Sequence, residues 1–115
     1  MKDGEITING NAGDWVGSYM KDGKITINGN AGWGVGYEMK NGEIIVNGND
    51  EGGVGLGMKN GKITINGNVG GGVGIGMKDG EIHLCGDYKG LDRYIPGGNI
   101  YHKRKLIVEN GRMLI

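Results

Sequence analysis

The chain of 115 residues contains no phenylalanine, one proline (Pro96) and one cysteine (Cys85). A single cysteine excludes an internal disulfide and suits a reducing compartment. Apolar runs are only a few residues long, too short to span a membrane. The N-terminus lacks the apolar stretch of a signal peptide. These features describe a soluble, cytoplasmic protein. Formal charge is also lacking, with 13 Lys and Arg balancing 13 Asp and Glu. The balance is uneven along the chain: residues 1–57 carry 4 Lys against 8 acids, and residues 58–115 carry 9 Lys or Arg against 5. No single basic face advertises nucleic acid. Neither a Ser/His/acid grouping nor a distinct pair of carboxylates can be read, so a hydrolase would lack a nucleophile with its base.

What the chain has in excess is glycine, 28 residues, and a repeat. Met recurs at 1, 20, 39, 58 and 77, followed each time by Lys, then Asp or Asn, then Gly at 4, 23, 42, 61 and 80. Four full units end at Gly76, and a fifth drifts after Tyr88. Within a unit, Glu5-Ile6-Thr7-Ile8-Asn9 alternates polar and apolar residues, the periodicity of a strand. Ile6, Ile25, Ile44, Ile63 and Ile82 form one column; Ile8, Ile27, Val46, Ile65 and Leu84 form the next. A second short segment centres on Val16, Val35, Val54 and Val73 between glycines. Glycine every few residues would cost a helix about 1 kcal/mol each. One coil per 19 residues, with short strands and Gly turns, specifies an all-β fold, a parallel β-helix (solenoid) of about five coils.

Stacking turns each position into a ladder at a spacing of roughly 4.8 Å. Glu5, Lys24, Glu43, Lys62 and Glu81 alternate in sign, so each side chain neighbours the opposite charge. Opposed cross-strand pairs contribute roughly 0.2–1 kcal/mol each, and like pairs cost as much. The alternation reads as control of register. On that argument Glu43→Lys should destabilise more than Asp50→Lys, because Asp50 is placed in a turn beside Ala31 and Val69. Asn9, Asn28, Asn47 and Asn66 form one amide column, and Asn11, Asn30, Asn49 and Asn68 another. Stacked amides can bond along the ladder and to corner backbone groups. Residues 1–115 form one domain: repeat coils over 1–95 and a cap over 96–115. Asn110-Gly111 between apolar runs signals a β-hairpin, with strands at Lys105–Glu109 and Arg112–Ile115 folded over the last coil.

The stretches "GNAGDWVGSYMKDGKITINGNAG" and "GGVGIGMKDGEIHLCGDY", with the terminal "GGNIYHKRKLIVENGR", resemble the GXGXG repeat domain. That domain forms the C-terminal part of the glutamate synthase large subunit and the bulk of one subunit of formylmethanofuran dehydrogenase. The resemblance covers nearly the whole chain. It implies a right-handed β-helix that holds the catalytic domains or subunits of an oxidoreductase together without performing chemistry, and without a cofactor of its own. Here the repeat stands without the catalytic domains of the synthase and opens directly on a coil. Near identity of coils one and two suits recent duplication or design. The alternative is a free-standing, self-associating solenoid.

Other chemistry is poorly served. "GVGLG" (Gly53–Gly57) and "GVGIG" (Gly72–Gly76) lack the G-x-G-x-x-G spacing of a dinucleotide loop and precede no helix. The period of 19 does not match calcium-binding nonapeptide repeats. Asp3, Asp22, Asn41, Asn60 and Asp79 suit turn chemistry instead. His83 and Cys85, two apart on one strand, share a face and could both ligate a metal, but no third ligand is placed beside them; His102 or Asp87 would be guesses. A varied last coil meeting its cap accounts for them as well. The exposed lysines 2, 21, 40, 59 and 78 form a solvated edge or a rail for an acidic partner. Trp15, Tyr19, Trp33 and Tyr37 either cover glycine turns or form a docking patch. Finally, coil one would leave the backbone of Glu5, Ile6, Thr7, Ile8 and Asn9 unpaired. Such an edge invites a homodimer through the N-terminal coil, with Trp15 and Tyr19 adding apolar area.

Overall fold

The computed structural model describes residues 4–91 and 94–114. Met1, Lys2 and Asp3, which open the first repeat, and Ile115, assigned to the final strand, lie outside them. Ten strands follow in order: β1 (Glu5–Ile8), β2 (Lys24–Ile27), β3 (Ala31–Trp33), β4 (Glu43–Val46), β5 (Asp50–Gly52), β6 (Lys62–Ile65), β7 (Glu81–Leu84), β8 (Asn99–His102), β9 (Lys105–Glu109) and β10 (Arg112–Met113). No helix occurs among the described residues. One sheet has eight strands in the order β1-β2-β4-β6-β7-β8-β9-β10, and a second has β3 beside β5. The molecule is a parallel β-solenoid.

The period-two segments form the main sheet. Ile6 sits opposite Ile25, Ile25 opposite Ile44, Ile44 opposite Ile63 and Ile63 opposite Ile82, each pair one repeat apart. Alternate residues turn inward, and Ile44, Val46, Ile63, Ile65 and Ile82 are completely buried. Met20, Met39, Met58 and Met77 fill the corner beneath the turn of the following coil, and Val35, Val54 and Val73 close the opposite side. The alternating charges fall into adjacent rungs, Glu5 on Lys24, Lys24 on Glu43, Glu43 on Lys62 and Lys62 on Glu81. They do not close to contact: the ion pairs among the described residues are Lys59–Glu38, His83–Glu81 and Lys103–Asp87.

The valine segments turn rather than extend, apart from a parallel bridge of Val73 to Leu91. Val35 lies between Gly34 and Gly36, whose φ angles are 84° and 77°. Such alternation is a turn, not extended backbone. The second set of strand-like pairings forms four residues earlier, through Ala31, Asp50, Val69 and Tyr88. Glycine in the valine turns is required by close approach. A Cβ on Gly55 would stand 2.6 Å from Ile82 Cδ1, and its φ is +72°. The isoleucines of the main sheet therefore reach across the core onto bare backbone.

The repeat also runs further than its sequence suggested. β8, placed in the cap, pairs in parallel with β7 and sets Ile100 opposite Ile82. The offset drops by one residue because the turn preceding β8 is Gly97-Gly98, one residue shorter than Lys78-Asp79-Gly80. β9 then reverses against β8, and β10 reverses against β9. Both reversals have positive φ at their two central residues, Lys103-Arg104 (51° and 73°) and Asn110-Gly111 (51° and 80°). That is the type I′ geometry favoured by strand twist. Only the second has the residues that announce it.

Candidate functional site

Three places bear on function: the C-terminal end of the stack, the edge of coil one, and a buried carboxylate in the middle. At the first, β7 carries His83 outward. Its Nε2 donates to Glu81 Oε1 at 2.8 Å. Its ring stacks on Tyr101 of the next rung, with centroids 4.5 Å apart and planes 6° from parallel. Cys85, two residues on, is exposed and free. His102 donates from Nε2 to the Gly86 carbonyl at 2.9 Å, and its ring meets Tyr88 edge-on. Asp87 lies 3.5 Å from Lys103 Nζ. Thus His83 lies on β7 and Cys85 just past its end, not on one strand as expected, while His102 and Asp87 are occupied elsewhere. Among the described residues, no three His, Cys, Asp or Glu side chains converge as metal ligands.

The aromatics of coils one and two cover glycine turns. Trp33 lies over Gly53, where a Cβ would come within 2.9 Å of ring atom Cδ2. Trp15 lies over Gly34 in the same way, with 2.7 Å to Cζ3. Tyr37 receives both Trp15 and Tyr19 edge-to-face, at centroid distances of 5.3 and 5.5 Å. Trp15 and Tyr19 thus lean onto coil two, yet about half of each remains exposed.

At the coil-one edge the core is unfinished. Ile6 is 47% exposed, whereas Ile25 in the same column is 6% exposed and Ile44 fully buried. Ile8, Ala12 and Val16 are only partly buried, unlike Ile27, Ala31 and Val35. Lys24 and Asn28 of coil two donate to the carbonyls of Gly4 and Ile8. In a parallel ladder this turns the even-numbered backbone groups of β1 toward β2 and the odd-numbered ones away. Glu5, Thr7 and Asn9 thereby direct N–H and C=O outward, and no described strand pairs with them.

The polar columns are committed to the stack. Asn28, Asn47 and Asn66 each donate from Nδ2 to Oδ1 of the asparagine one coil before, at 2.8 to 3.0 Å. Oδ1 of Asn11, Asn30, Asn49 and Asn68 accepts the backbone N–H of the residue one coil later. Asp22, Asn60 and Asp79 accept from the following glycine N–H, the turn role their column implied.

Asp50 is the exception, and its expected place in a tolerant turn is incorrect. It begins β5, is 4% exposed, and stands in the inward column of Ala12, Ala31, Val69 and Tyr88. Oδ1 accepts from the Gly52 N–H at 2.8 Å, and Oδ2 is buried without a partner. Burial pushes its pKa up to about 7; the Gly52 bond opposes the shift and the charge of Glu51 adds to it. The clue was present in the sequence, as an acid in an otherwise apolar column.

No protein-family model matches the chain, and no curated protein matches it. No helix among the described residues is long and apolar enough to cross a membrane.

Proposed function

We propose that the chain is a non-catalytic scaffold that holds catalytic domains or subunits of a multisubunit oxidoreductase in fixed relation. The repeat's resemblance to the GXGXG domains of glutamate synthase and formylmethanofuran dehydrogenase supplies the partner class. The observation that carries a structural role is the commitment of the polar columns: the side-chain oxygens of two asparagine ladders accept from the adjacent coil, and those of Asp22, Asn60 and Asp79 accept within their own turns. The lone free cysteine suits the reducing cytoplasm, where such a complex would work. Purification from the source cell under low-salt conditions tests the reading. Stoichiometric co-elution with redox subunits, abolished by substitutions on the solenoid surface, supports it. A purified chain that turns over a substrate by itself overturns it.

A second reading, a self-associating solenoid, is favoured by one observation: Ile6 stands half-exposed at the head of a column that is otherwise buried.

A further inference from the structure

We propose that the edge of β1 is a self-complementary interface in which two copies of this chain pair head-to-head, antiparallel, with Thr7 on the twofold axis. The proposal rests on the second reading above and specifies its geometry.

Three requirements select this register. The outward backbone groups belong to Glu5, Thr7 and Asn9. An antiparallel pair exchanges both N–H···O bonds only between such outward-facing residues. Thr7 against Thr7 of the second copy satisfies this, and Glu5 then falls opposite Asn9 twice. Second, inward side chains must meet inward side chains. The same register places Ile6 opposite Ile8, so the two half-covered columns become one. A slip by one residue would set Ile6 against Thr7 and turn apolar groups to solvent. Third, the side chains match. Asn9 Oδ1 already accepts from Asn28 Nδ2, leaving the Asn9 Nδ2 group at the edge as a donor. Glu5 of the second copy supplies the acceptor.

The end face is large enough. The Cα extents are 35 × 26 × 21 Å, and eight strands at roughly 4.8 Å account for the long dimension along the stack. An end face of 26 × 21 Å offers on the order of 500 Å² per copy, about 1,000 Å² in total, the floor for a specific interface. Acidic halves then adjoin, so association should tighten as salt rises.

Light scattering and crosslinking on the 115-residue chain, in a Cys85→Ser background, test this. The chain with its native β1 should be a dimer at micromolar concentration. Thr7→Cys should oxidise to a covalent dimer, since hydrogen-bonded antiparallel partners have Cα atoms about 5.5 Å apart, within disulfide reach. Thr26→Cys should not, because three strand spacings, about 14 Å, would separate the two copies there. Asn9→Asp keeps the acceptor for Asn28 but replaces the donor with a charge facing Glu5. It should weaken the dimer at least tenfold at low salt while leaving circular dichroism unchanged. A dimer that crosslinks equally through both positions, or ignores Asn9→Asp, overturns the register. A monomer overturns the self-association reading as well.

Discussion

Replacing Asp50 with valine should make the solenoid more stable, and the gain should depend on pH. Folded, Asp50 keeps its proton up to about pH 7; unfolded, it releases it near 3.8. Between those values the native state binds more protons, so stability is full below about pH 4 and falls as pH rises, the loss complete above about pH 7. At about 1.36 kcal/mol per unit, the shift corresponds to roughly 4 kcal/mol. Valine fits the column, since Val69 occupies the next coil and Ala31 the one before. It forfeits the bond from Gly52, worth about 1 kcal/mol, so the net gain at pH 8 is roughly 3 kcal/mol. At pH 4, where the carboxyl of the folded protein is protonated, the ionisation part is gone and the lost bond should leave the valine variant about 1 kcal/mol less stable than wild type. Urea denaturation of both proteins at pH 4 and pH 8 measures it. Asp50→Asn, which retains an acceptor for Gly52 but cannot ionise, should flatten the same slope. An equal gain at both pH values, or a wild-type slope that survives in Asp50→Asn, would refute the argument that ionisation of this carboxyl destabilises the core.

Ile44→Ala, in mid-stack and fully buried, should cost about 2–5 kcal/mol in the same denaturation assay. Gly55→Ala should be of similar severity, because the new methyl meets Ile82 Cδ1 and sits at positive φ; pairing it with Ile82→Val should recover part of the loss. Glu43→Lys puts three lysines in line with Lys24 and Lys62, a cost of about 1 kcal/mol that should shrink on adding about 0.5 M salt. Asp50→Lys should cost more than Glu43→Lys, the reverse of what a turn position would imply, since it buries an ammonium group.

The main sheet is legible in the sequence because one repeat states its period five times, and the Ile columns can only be inward in one register. The hairpin at Asn110-Gly111 is legible because those residues tolerate positive φ. β8 is not: loss of one residue at Gly97-Gly98 breaks the count, although Ile100 still lands on Ile82. The first reversal is hidden because Lys103 and Arg104 adopt positive φ without being residues that favour it. The conformation of the valine segments is not legible, because valine favours extended backbone while the glycines on either side adopt positive φ and make the segment a turn. Asp50 reads as a turn residue because its neighbours in sequence, Asn49 and Glu51, are polar; its neighbours in space are Ala31 and Val69. Of the site residues, His83 lies on β7 as its alternation implied, but the strand ends at Leu84, one residue short of Cys85. Of the partners that occupy His83, Glu81 stands two residues before it on β7, whereas Tyr101 comes from a strand pairing that the interrupted repeat conceals.

The alternating charge column also sets the step in which this protein can change length. Excising one coil, such as residues 20–38, joins Tyr19 to Met39 and brings Glu5 onto Glu43. Excising two, residues 20–57, brings Glu5 onto Lys62 and restores the alternation. The backbone repeats every coil, but the electrostatics repeat every second one. Growth or shrinkage by pairs of coils is therefore neutral where single steps carry a fault, and longer or shorter solenoids of this pattern should differ by even numbers of turns.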